Sequence, residues 1–290
     1  MIDRLWIAAA AGAVLVATAF GESRFPVEQR ETVRRTLQLA PGASRTLEVS
    51  NINGSITVVG GASDRIELVA ERAIRGRTEA DVQEGKRLAR LEASETAGGV
   101  LVCGDTSHRC RCDEPIERNE RRTRRDDPPY RVDTRFELHV PRAIALRLCT
   151  VNGGAVTVSH TSGELVVTHV NGRIEASDVR GTARLTTVNG SVKADFAELP
   201  AGPSSFRSVN GDVVVSLPDS LSADLRLKTM NGGLFTDFET TSLPATPATA
   251  ERRNGRLVYR SNRTVGVRVG RGGPELSFET LNGDVRVLKR

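Results

Sequence analysis

Over most of the chain apolar and polar residues alternate in short runs that break at Asn, Gly or Pro, the period of half-buried β-strands. The breaks repeat. An apolar residue followed by Asn-Gly occurs at Ile52-Asn53-Gly54, Val151-Asn152-Gly153, Val170-Asn171-Gly172, Val188-Asn189-Gly190, Val209-Asn210-Gly211, Met230-Asn231-Gly232 and Leu281-Asn282-Gly283. The five central copies are 19, 18, 21 and 21 residues apart, the signature of stacked units.

Aligning the copies on Asn sorts their flanks into columns. Six residues before stand Leu47, Leu146, Leu165, Ala183, Ser204, Leu225 and Leu276; four before stand Val49, Leu148, Val167, Leu185, Phe206, Leu227 and Phe278. Two before are mostly hydroxyl residues, with Asn51 and His169 as exceptions. Three and five residues after Asn the alternation resumes, as in Ile174 and Ala176 or Val213 and Val215. Each unit is therefore two short strands sharing one inner face. Two topologies satisfy this parity. Asn-Gly is either a type I′ hairpin turn of a meander or a corner of a solenoid. Repetition of the same dipeptide favours the corner, because Asn amides can hydrogen-bond from layer to layer.

The predicted fold is an all-β β-solenoid, a single-stranded right-handed β-helix-like array of about 20-residue repeats, with an antiparallel β-meander barrel or propeller as the alternative. One unit buries a few apolar side chains at roughly 1.5 to 3 kcal/mol each. Ordering its backbone costs about 1 to 2 kcal/mol per residue. A lone unit would not fold, so the array needs neighbours and caps. One short helix is predicted near residues 78–91, where Thr78 and Asp81 form an N-cap pair and Val82, Leu88 and Leu91 share a face; Gly85 weakens it.

The segments read as follows. Leu5 to Ala19 is uncharged and ends in a small-x-small site, so residues 1–19 are expected to be a secretory signal peptide, with an uncleaved anchor as the alternative. Residues 20–35 form a charged leader, either mobile or an irregular first strand. Residues 36–103 form an N-terminal β module with the helix, 104–134 a charged, cysteine-containing exposed loop, and 135–290 the repeat array. No second long apolar run follows, so no integral membrane segment is expected in the mature chain, which would be extracytoplasmic: periplasmic, surface-bound or secreted.

Composition adds exclusions. Aromatic content is 4% with 27 Gly, which suits many thin layers rather than one bulky centre. The 41 basic residues are interspersed with 36 acidic ones, so nucleic acid is not an expected partner.

These segments carry a resemblance. In "LEVSNINGSITVVG", "HVP", "TVNGGAVTV", "HVNGRIEA", "TVNGSVKAD", "SVNGDVVVSLP" and "ELSFETLNGDVRV" the chain resembles the bacterial putative-adhesin family of β-strand-repeat proteins, a domain of unknown function related to autotransporter-adhesin head domains. The likeness covers about residues 40–75 and 135–290. It implies a β-solenoid, an extracytoplasmic location and no catalytic residues to carry over. The cysteines and the charged loop depart from the pattern.

Candidate chemistry is sparse. Cys103, Cys110, Cys112 and Cys149 are an even set in an exported chain and are expected to form disulfides, with Cys110 and Cys112 each pairing to Cys103 or Cys149 in an unassigned order. A zinc site completed by His108 or His139 is the rival, but the spacing is wrong for it. Asp195 and Asp237, expected two layers apart, together with Asp212 and Asp284, are the candidates for a polysaccharide-cleaving acid pair, weighed against Asp as an ordinary turn residue. The histidines are dispersed, and His169 reads as a surface substitution. The Gly-rich stretches lack the strand-to-helix context of a phosphate loop, and no nucleophile triad has a local signature. No cofactor or metal is expected. The leading function is an exported, non-enzymatic adhesin or envelope-binding structural module whose partner is an envelope or cell-surface protein or polysaccharide. An envelope-sensing module and a polysaccharide-active β-helix are the alternatives.

Overall fold

The computed structural model describes residues 24–39, 45–96, 98–107, 110–113, 128–244, 249–253, 256–260 and 264–290, with the backbone alone for 249–253 and 256–260. The expected signal peptide lies outside the described residues. In chain order the strands are β1 (Val27–Gln38), β2 (Thr46–Ser50), β3 (Ile56–Gly61) and β4 (Arg65–Gly76); helix α1 (Glu79–Leu88) follows. Next come β5 (Glu92–Thr96), β6 (Gly99–Cys103), β7 (Tyr130–Pro141), β8 (Ala145–Asn152), β9 (Val156–Ser159), β10 (Leu165–Asn171) and β11 (Ile174–Val179). They continue with β12 (Ala183–Asn189), β13 (Val192–Phe196), β14 (Ser204–Arg207), β15 (Val213–Leu217), β16 (Ala223–Asn231) and β17 (Leu234–Thr236). The last are β18 (Thr240–Ser242), β19 (Thr249–Arg253), β20 (Arg256–Arg260), β21 (Val265–Val269), β22 (Glu275–Asn282) and β23 (Val285–Lys289).

Two open sheets share one core. Sheet A runs β1-β4-β7-β3-β9-β11-β13-β15-β23-β17, and sheet B runs β18-β21-β16-β22-β14-β12-β10-β8-β2-β6-β5. Every Asn-Gly copy carries the chain from a strand of sheet B to one of sheet A, and neighbouring repeats pair in parallel. Each repeat is one coil of a β-solenoid, and Asn-Gly is its corner. The antiparallel barrel or propeller is thereby excluded. All members of the columns six and four residues before Asn are at most 5% exposed, as period-two parity requires. Within that core Phe206 stacks on Phe278 with centroids 5.1 Å apart and meets Phe196 edge-on at 5.8 Å.

The coils do not stack in chain order at either end. β22 and β23, the last repeat, lie between β14/β15 and β16/β17, so the Asn282 coil is inserted between the Asn210 and Asn231 coils. At the opposite end β6 and β7 lie outside β2 and β3, although they follow them in sequence.

Antiparallel strands close the ends. β4 pairs with β7 and β1 with β4, so residues 27–35, read as leader, belong to a regular twelve-residue strand. β5 covers β6. Helix α1 stops at Leu88 rather than 91, because Ala89 leaves helical geometry while its N–H bonds to Gly85 O. Its N-terminus is the expected Thr78–Asp81 capping box. Gly85 is there for packing, since a Cβ would stand 2.9 Å from the Tyr130 ring. Val82 and Tyr130 join Ile74, Ala89 and Val132 in a small second core. At the other end β21 pairs with β16 and β18 with β21. β19 and β20 form a separate antiparallel pair, with Arg253 opposite Arg256. No helix among the described residues is long and apolar enough to cross a membrane.

Candidate binding surface

The corner is built from three parallel columns. On the corner itself the asparagine amides form one head-to-tail ladder. Asn53 Nδ2 donates to Val132 O at 3.1 Å, and Asn152 donates to Asn53 Oδ1 at 3.2 Å. Asn171, Asn189 and Asn210 each donate to the preceding amide at 2.8 Å. Asn282 then donates to Asn210, and Asn231 to Asn282, both at 2.7 Å. All seven corner amides are in the ladder.

Inside it runs the hydroxyl column. Thr187 and Ser208 donate to Gly172 O and Gly190 O at 2.8 Å, Thr280 to Gly211 O at 2.8 Å and Thr229 to Gly283 O at 2.9 Å. These bonds satisfy corner carbonyls that face the interior. His169 occupies the same column and is fully buried, which overturns its reading as a surface substitution. The position two before Asn shares the inward parity of positions four and six before it. Its Nε2 lies 3.3 Å from Gly154 O, and its Nδ1 has no hydrogen-bond partner among the described residues. Burial pushes its pKa below the ordinary histidine value, only partly opposed by the Gly154 and Gly153 carbonyls.

Close stacking explains the invariant corner glycine. A Cβ on Gly190 would stand 2.1 Å from Gly172 O. The doubled Gly153-Gly154 adds one residue to its corner, with φ of 86° and 37°, so that Val156 regains register with Ile56 and Ile174.

Outside the ladder runs a third column, the residue before each Asn. In stacking order it reads Ile52, Val151, Val170, Val188, Val209, Leu281 and Met230, all partly or well exposed. Val188, Leu281 and Met230 are 37%, 41% and 46% exposed. The result is one apolar residue per coil along the corner.

The cysteine loop lies across the outside of sheet B. Cys103 is bonded to Cys110 and Cys112 to Cys149. Cys103 and Cys149 flank Ser50 on β6, β2 and β8, and all three are buried beneath the loop. Glu48 accepts from Cys112 N at 2.6 Å and faces Arg111 at 3.9 Å. The described start of the expected exposed loop is thus a strap held on the sheet; residues 114–127 and His108 lie outside the described residues. With all four cysteines in disulfides, none is a thiolate for zinc. His139 sits 3.7 Å from Glu137 on the sheet A surface.

The carboxylate candidates do not converge. Asp195 lies in β13 and Asp237 follows β17, three strand spacings apart rather than two, because β23 intervenes. Three spacings are about 14 Å, beyond the roughly 9.5 Å limit for a glycosidase pair. Asp195 faces Arg290 at 3.1 Å, and Asp237 accepts from Lys289 N at 3.3 Å. Asp212 and Asp284 are in adjacent coils, but Asp212 accepts from Asp284 N at 2.8 Å and Asp284 from Gly233 N at 2.9 Å, so both cap backbone. The Arg286 guanidinium and then the Gly233 N–H hold Asp284 below the usual carboxylate range. The columns gave no sign of the His160–Asp178 pair. Its Nδ1–Oδ2 distance is 2.6 Å, and both residues have left-handed φ, 58° and 49°. The His160 hydrogen bond lowers the Asp178 pKa. This pair ties the other corner between two coils.

Residues 146–266 match the family model described as Toastrack DUF4097. The Toastrack match begins on β8 and ends on β21, so it takes in five of the seven corners and omits the Asn53 coil and the inserted Asn282 coil. Two solved structures are similar to the chain. One is a putative cell adhesion protein from Clostridium sporogenes ATCC 15579, at 8% identity and a TM-score of 0.40, covering 89% of this chain and all of that one. The other is a putative adhesin (BF0245) from Bacteroides fragilis NCTC 9343, at 7% identity and a TM-score of 0.21, covering 89% and 97%. No curated protein matches the chain.

Proposed function

We propose that this Toastrack-containing chain is an exported, non-enzymatic, adhesin-like module that binds an envelope or cell-surface protein or polysaccharide along its solenoid corner. The observation that carries the reading is the outward apolar column. Seven apolar side chains at strand spacing make a ridge of about 29 Å. Soluble proteins rarely leave a contiguous apolar strip in water without a partner for it. A ridge repeating at strand spacing matches an extended, repetitive ligand. Two disulfides suit an oxidising compartment, in line with the signal expected at residues 1–19. The carboxylates favoured for polysaccharide cleavage are instead engaged by backbone N–H groups and by arginines, which argues against the enzyme reading.

The test is retention of the mature chain on envelope fractions and on a glycan array, compared with Val188→Asp and Leu281→Asp. Both positions point outward, so folding should persist while retention falls at least tenfold. Equal retention of the variants, or release of sugar products by the wild type, would overturn the reading.

A further inference from the structure

Four strands form the sheet edges: β1 and β17 in sheet A, β5 and β18 in sheet B. Three are protected in the usual way, by charge or hydroxyls. β1 carries Glu28, Arg30, Arg34 and Arg35, β5 carries Glu92 and Glu95, and β18 is Thr240-Thr241-Ser242. The fourth is not. Among the described residues β21 pairs with β16 only from Ala223 to Leu227, and none of them pairs with the outer edge of the last coil from Lys228 through the Asn231 corner to Thr236. Four of the five well-exposed large apolar residues among those described gather there: Met230 and Phe235 on the open coil, Leu281 beside it, and Val265 at the start of β21.

The open coil also offers an ordered hydrogen-bond template. Val285 N donates to Gly233 O and Asp237 N to Val287 O, so these groups face β23. By strand alternation the N–H and C=O of Leu234 and Thr236 face away from it. At inner corners the next coil bonds outward-facing groups, as when Asn282 N donates to Val209 O and Gly211 N to Asn282 O. The equivalent groups here are Met230 C=O and Gly232 N–H.

We propose that this edge, residues 228–236, docks one extended segment of another protein by strand addition. The segment would carry apolar residues at alternate positions to cover Met230 and Phe235, and a basic residue beyond them. Charge selects that residue: Asp237 and Glu239 follow the edge, exposed, and neither is in an ion pair among the described residues. A second copy would bring the same two carboxylates. It would also meet β21 and β18, which already fill the next position over the rest of β16. The proposal does not depend on the corner ridge.

The probe is a labelled peptide of residues 275–289, a coil already shaped to lie against this one, with its scrambled form as control. Fluorescence anisotropy with the mature chain should show saturable binding. Binding should fall at least tenfold in the double variant Met230→Lys/Phe235→Lys, and also in Thr236→Pro, which removes one outward N–H and keeps the apolar surface. Circular dichroism melts should show each variant folded. Absence of binding to the wild type, or equal binding by folded variants, would overturn the proposal. So would a dimer in sedimentation that Phe235→Lys dissolves, since the occupant would then be a second copy. Failure of the wild type to be retained on envelope fractions or glycans, with peptide binding intact, would sink the ridge reading alone.

Discussion

Asn231 donates its side-chain amide to Asn282 at 2.7 Å, although Asn210, only 21 residues earlier in sequence, belongs to the coil on the far side of Asn282. The last repeat is therefore an internal layer. Truncation after residue 274 would remove Leu276, Phe278, Val285 and Val287, each at most 1% exposed. At roughly 1.5 to 3 kcal/mol per buried side chain the loss rivals the whole net stability of an ordinary domain. We expect the truncated chain to lose its β-sheet signal in far-ultraviolet circular dichroism across much of residues 204–244. Mere fraying of a few terminal residues, read by hydrogen exchange, would contradict the inserted order.

The ladder and its glycines make a paired prediction at one corner. In Asn189→Asp the carboxylate faces the Asn171 oxygen with no proton to donate, so we expect a loss of about 1 to 3 kcal/mol at neutral pH. Part of it should return in acid as the carboxyl group protonates. Gly190→Ala should cost more than Gly202→Ala, because the added methyl meets backbone oxygen at 2.1 Å in the first case and the Thr182 methyl at 3.2 Å in the second. Urea melts of the three variants would rank them.

The two disulfides should contribute unequally. Cys103–Cys110 spans 7 residues and Cys112–Cys149 spans 37. Loop-closure entropy makes the longer link worth roughly 1 to 1.5 kcal/mol more. Cys112→Ser/Cys149→Ser should therefore lower the thermal midpoint further than Cys103→Ser/Cys110→Ser. The reverse order would mean that packing of the strap, rather than chain entropy, dominates.

Much of the architecture was legible because solenoid columns are periodic. Alignment on seven asparagines identified the buried positions from Leu47 to Phe278 and favoured a corner over a hairpin. Layer order was not legible. A 21-residue spacing between Asn210 and Asn231 looks like adjacency, and nothing local says that Asn282 will enter between them, since parallel pairing depends on partners distant in sequence. That error also placed Asp195 and Asp237 too close. The His160–Asp178 pair escaped because its corner has no repeated dipeptide to align on. The open edge at 228–236 depends on where β21 stops pairing, which sequence does not reveal.

His169 is where parity was available and chemistry obscured it. The column position says inward, yet an ionisable residue read as exposed. Buried with Nδ1 unpartnered, it stays neutral in the folded protein below the pH at which the unfolded chain takes up a proton. Its folded pKa is depressed, so its contribution to stability is fully present above about pH 6.5, the ordinary histidine value. That contribution is lost as pH falls from there through the folded value. His169→Thr restores the hydroxyl that the other coils use and removes the titrating group. Whatever the exchange does to absolute stability through lost volume, the variant should show a flatter urea midpoint than the wild type as pH falls below 6.5. Parallel pH profiles for the two proteins would show that His169 takes up a proton as readily in the folded as in the unfolded chain, and the buried-neutral assignment would fail.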